Sequence, residues 1–74
     1  MPIFSYLVYP EHNKKQHLID ALLAERFCEI KVAENEEVLI LVTDTPDEKT
    51  NKDLLDRIQK LESLQSLSMT FGHT

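Results

Sequence analysis

Residues 38–42 read Val38-Leu39-Ile40-Leu41-Val42, five large aliphatic side chains in unbroken succession. Successive side chains of a strand point to opposite faces, so this run places apolar surface on both faces of its sheet. The stretch just upstream behaves differently. Residues 27–33 have a period of two, with Cys28, Ile30 and Val32 on one side and Glu29 and Lys31 on the other. Between the two lies Glu34-Asn35-Glu36-Glu37, where Asn35 suits a left-handed turn, so the runs form a hairpin. A half-exposed arm beside an arm without alternation predicts a strand next to a central strand.

Residues 3–9 are apolar and aromatic, and Pro10 then removes a ladder donor, which predicts a first strand ending near Tyr9. Asn13-Lys14-Lys15-Gln16 has the form of a capping box, and Leu18, Ile19, Leu22 and Leu23 recur at helical spacing to about Arg26. Thr45-Pro46-Asp47-Glu48 combines a hydroxyl cap, a proline at the first helical position and acids in the first turn. The helix it opens carries Leu54, Leu55, Ile58 and Leu61 on one stripe and ends near Glu62. Residues 64–71 alternate Leu67, Met69 and Phe71 with Ser66, Ser68 and Thr70, a last strand closed by Gly72.

The order is strand, helix, strand, strand, helix, strand over one domain, residues 1–74. It predicts an α+β, ferredoxin-like βαββαβ fold: a four-stranded antiparallel sheet with two helices on one face. Right-handed crossovers place strands one and three at the centre and leave the other face without a helix. The second apolar face of residues 38–42 is therefore part of an open sheet surface.

Composition narrows what that surface can do. Eight basic against thirteen acidic residues give a net charge of −5, which opposes a phosphate backbone and argues against nucleic acid. RNA-binding relatives of this topology also stack bases on open-face aromatics, and Tyr9 is the single candidate here. One cysteine, Cys28, forms no internal disulfide and has no CxxC partner; a reducing cytoplasm suits it, and it is expected to pack as a small hydrophobe beside Ile30. The start of the chain lacks a signal-peptide pattern, and no segment approaches a membrane span. His12, His17 and His73 have no metal-ligand spacing, and Gly72 is the sole glycine, so no glycine-rich phosphate cradle follows strand one. Neither a metal, a cofactor nor an enzymatic activity is expected. Protein binding remains.

Polar residues serve as markers of the open side. Glu29 and Lys31 turn Ile30 and Val32 to the helices, and Thr43 on the open side does the same for Ile40 and Val42, so that Leu39 and Leu41 look outward. Ser66, Ser68 and Thr70 mark strand four; Ser5, Leu7 and Tyr9 mark strand one, with Phe4, Tyr6 and Val8 inside, although strand one also permits the reverse facing. The expected binding surface is then Ser5, Leu7, Tyr9, Leu39, Leu41, Ser66, Ser68 and Thr70, rimmed by the acids Glu36, Glu37 and Asp44. Such a floor suits an amphipathic, basic helix. The same face can instead form a homodimer or a regulatory pairing module, and the acids can be a solvated sheet edge. A small-molecule sensor is disfavoured by the lack of loop glycines.

Several phrases in their order resemble one family. Ser5-Tyr6-Leu7-Val8 with a following Pro-Glu-His, Cys28-Glu29-Ile30, the 38–42 run, Arg57-Ile58-Gln59, and Ser66-Leu67-Ser68-Met69 with a late aromatic and histidine are similar to the NapD family. The likeness spans nearly the whole chain. The chain departs from the family at Arg26-Phe27, where a Pro-Gly type turn is usual, and at Phe71-Gly72-His73, where the family ends Tyr-His. The resemblance implies a cytoplasmic chaperone for a nitrate reductase catalytic subunit. Its partner would be the twin-arginine signal peptide of that precursor, held back from export until a molybdenum cofactor is inserted, with no cofactor held by the chaperone itself.

Overall fold

The computed structural model describes residues 3–32 and 37–73, the last three as backbone only. The expected turn at Asn35, and Glu36 with it, lies outside the described residues. Within them the elements are β1 (Ile3–Pro10), α1 (Lys15–Leu23), β2 (Cys28–Val32), β3 (Leu39–Asp44), α2 (Glu48–Gln59) and β4 (Leu64–His73). One sheet has the strand order β2-β3-β1-β4 with every pairing antiparallel, so β1 and β3 are central, as the ferredoxin-like order requires.

The register shows which residues share a face. Tyr6 pairs with Leu41 and Val8 with Leu39, and these four belong to one buried cluster with Leu18 and Leu22 of α1 and Leu54 and Ile58 of α2. Both helices therefore cover the same side of the sheet. Ile30 and Cys28, opposite Leu41 and Thr43, pack against that cluster from β2. Val32, opposite Leu39, is on the same side but half exposed, because it sits at the outer strand.

The facing of β3 is the reverse of the sequence expectation. Leu39 and Leu41 are 0% exposed against the helices, whereas Ile40 is 41% exposed on the open side. The cause is Thr43, which is buried rather than solvated. Its hydroxyl donates to Asn51 Oδ1 at 2.7 Å, and Asn51 Nδ2 donates to the Tyr6 hydroxyl at 3.1 Å. Thr45 adds a longer contact to the same Oδ1 at 3.5 Å. No buried side-chain nitrogen or oxygen among the described residues lacks a partner, so burying these groups avoids the desolvation penalty of an orphan. With Thr43 turned inward, the period of two carries Leu41 and Leu39 with it.

Helix starts also differ from expectation. The α2 cap is Asp47, whose Oδ1 accepts the Thr50 amide at 2.7 Å, while the Thr45 hydroxyl donates to the Asp47 carbonyl. That cap bond holds the Asp47 carboxyl below its usual range. The stabilisation is present above the unfolded pKa and is lost as pH falls through the lowered folded one. The capping box at α1 does not form. Asn13 adopts φ 62, Lys14 takes the cap position without a side-chain bond, and Gln16 donates instead to Asp20. Phe27 has φ 66, in the left-handed region that glycine enters without steric cost. Its carbonyl accepts the Asp44 amide at 3.0 Å, and the Arg26 guanidinium lies 5.1 Å from its ring.

Two outcomes follow for stability. Leu41→Ala should lose about 2–5 kcal/mol, and Ile40→Ala less than about 1 kcal/mol; chemical denaturation of the two variants compares them, and equal losses would contradict the facing. Asn51→Ala strands the Thr43 and Tyr6 hydroxyls and should cost about 1–3 kcal/mol, read as a lowered thermal midpoint with the fold retained.

Candidate functional site

The face of the sheet without helices is built by four strands in fixed register. One row across it is Lys31, Ile40, Leu7 and Ser68; the next is Glu29, Val42 and Ser5. Tyr9 pairs with Ser66 beyond the first row, and Ile3 with Asp44 beyond the second. The centre is therefore apolar through Ile40, Leu7 and Val42, with Tyr9 and Ile3 extending it along β1. Ile40, Tyr9 and Ile3 are among the exposed large apolar side chains of the chain. Branched and aromatic side chains on a pleated surface make a low, stiff floor.

Of the residues expected on this face, Ser5, Leu7, Tyr9, Ser66 and Ser68 are on it. Leu39 and Leu41 are not, and Ile40 and Val42 stand in their place. Thr70 sits at a register irregularity between β1 and β4, where Ser5 pairs with Phe71 and Tyr6 with Met69. Its hydroxyl donates to the Ser5 carbonyl at 3.2 Å, which ties the bulged strand to its neighbour. The acidic rim is split. Asp44 is exposed at one end of the open face, opposite Ile3. Glu37 instead lines a shallow cleft of about 560 Å³ with His12 of the segment after β1 and Lys15 and Gln16 at the start of α1. Glu29, expected only as an open-side marker, is the acid that joins Asp44 there.

On the helix side, Arg57 of α2 makes a two-pronged ion pair with Glu25, Nε to Oε2 at 3.3 Å and Nη2 to Oε1 at 3.2 Å. It joins α2 to the segment after α1, and the paired carboxylate raises the Arg57 pKa further. Cys28 lies near it. Burial, with the charge of Glu25 adding and that of Arg57 opposing, pushes its thiol up to about 11. Such a thiol is protonated at neutral pH and packs as a small apolar group, not as a nucleophile. Among the described residues no cluster of histidine, cysteine and acid has the arrangement of a metal site, and no helix is long and apolar enough to cross a membrane. What the open face offers is contact area with few polar demands, suited to burying one side of a peptide.

Comparison with known proteins agrees in fold. A family model described as NapD protein matches residues 1–74. The solution structure of the Escherichia coli Tat proofreading chaperone protein NapD superposes with a TM-score of 0.83 at 20% identity, covering 97% of this chain and 76% of that one. The crystal structure of a hypothetical protein from Pyrococcus horikoshii gives 0.82 at 21% identity, covering 100% of this chain and 90% of that one. A search of curated protein sequences finds no match.

Alkylation of Cys28 tests its environment. Iodoacetamide should react slowly with the folded protein at neutral pH, the rate climbing about tenfold per pH unit toward a midpoint near 11. A midpoint in the range of a free cysteine would contradict the burial described.

Proposed function

The chain belongs to the NapD family, and from that premise we propose that it is a chaperone that binds the signal peptide of an exported enzyme precursor through its open sheet face. The observation that carries this is the apolar centre of Ile40, Leu7 and Val42, left uncovered while both helices are on the other side. A twin-arginine signal peptide is basic at one end and apolar along its length. Its apolar side, formed as a helix, matches a stiff floor of branched side chains, and the net charge of −5 favours its basic end.

The client in this proposal is a molybdenum oxidoreductase of nitrate reductase type. Occupying the signal peptide in the cytoplasm delays export until cofactor insertion is complete, and the chaperone needs no catalytic group or cofactor of its own. Retention requires only that the peptide be sequestered, which a surface without chemistry can do.

Titration of a synthetic twin-arginine peptide into the isotope-labelled protein should shift the amides of Leu7, Ile40, Val42 and Ser68. Ile40→Asp should weaken binding by at least about tenfold with the fold intact. Shifts confined to α1 and α2 would overturn the site. A stable homodimer in solution with Ile40 buried between copies would favour self-pairing through this face instead.

A further inference from the structure

The charges over the open face are unevenly placed. Glu29 lies opposite Val42, and Asp44 is the next open-face residue along β3. Diagonal neighbours of this kind stand about 7–8 Å apart between Cα atoms. Both are exposed, and neither makes an ion pair with a described residue. Glu25, on the segment that leads into β2, is held by Arg57. Two residues along β2 in the other direction the sign changes, with Lys31 opposite Ile40. Glu37, still further along, belongs to the helix-side cleft and not to this face.

The geometry points to a single direction of binding: the cationic end of a bound amphipathic segment lies over Glu29 and Asp44, and its apolar run continues across Val42, Ile40 and Leu7 toward Tyr9. This rests on the peptide-binding function proposed above. In the opposite direction the basic end would lie on the Lys31 side of the face, away from Glu29 and Asp44, and the two carboxylates would be covered by apolar side chains without partners; both features disfavour that orientation. A segment whose basic residues precede its apolar run would then travel parallel to β1. If helical, it also brings the positive end of its macrodipole to the two carboxylates, which favours the same direction.

The test uses a synthetic peptide with two adjacent arginines ahead of a leucine-rich helical run, carrying a nitroxide at one end or the other. With the label at the arginine end, the amides of Ile3, Glu29 and Asp44 should broaden; with the label at the apolar end, those of Tyr9 and Ser66 should. Glu29→Gln combined with Asp44→Asn should weaken binding roughly fivefold at low salt and leave unchanged the affinity of a peptide whose arginines are replaced by glutamine. Reversed broadening, or equal loss for both peptides, overturns the direction while binding to the face still stands. Failure of either peptide to perturb the open face overturns the peptide-binding function and the direction with it.

Discussion

The Asn51 amide is the constraint on which the rest of the molecule depends. It is nearly fully buried between α2 and the two central strands, and its oxygen and nitrogen are both engaged, by Thr43 and by Tyr6. A buried amide tolerates few alternatives, because each unmatched group carries a desolvation cost. Satisfying it requires Thr43 and Tyr6 to point to the same side of neighbouring strands, which places β1 and β3 in one register. A slip of one residue in β3 would bury Asp44 and Val42 in place of Thr43 and Leu41. The polar network thus selects the register, while the leucines around it supply most of the burial energy.

What the open face presents follows from that selection. Since Leu39 and Leu41 are used against the helices, the outward positions of β3 are left to Ile40 and Val42. The middle of the open face is apolar, with Ser5 and Asp44 as the polar residues that the central strands add towards one end. Glu29 and Lys31 border one flank and Ser66 and Ser68 the other. Two roles are separated by alternation along a single strand: every second residue packs against the helices, and those between them form the open surface.

Order and type of all six elements were legible in the sequence, because apolar periodicity changes sharply at Pro10, Arg26, Thr45 and Leu64. The facing of β1 was legible too, since Ser5 is a polar residue that truly lies on the open side. Thr43 misled for the opposite reason: a threonine is polar on paper whether it is solvated or bonded inside. The missing signal was Asn51. It precedes Leu54, Leu55 and Ile58 by three, four and seven residues, so it occupies the apolar stripe of α2 and must be buried with it. A buried amide needs partners, and the hydroxyls of Thr43 and Thr45, just upstream of the helix, supply them to its oxygen. Phe27 is a similar case. The absence of a glycine at a position where the family turns on one was visible, but not that phenylalanine would accept the left-handed conformation with its ring against Arg26.

The alternation in β3 and β1 also bears on how such a protein can diversify. Substitutions at Leu7, Ile40, Val42 and Ser68 change the shape of the exposed floor without touching the packed side, so the two sets of positions are free to drift at different rates. A library randomised at those outward positions alone would vary the open surface on a constant scaffold. The shape and polarity of the open surface can be retuned by the same route, one strand residue in two.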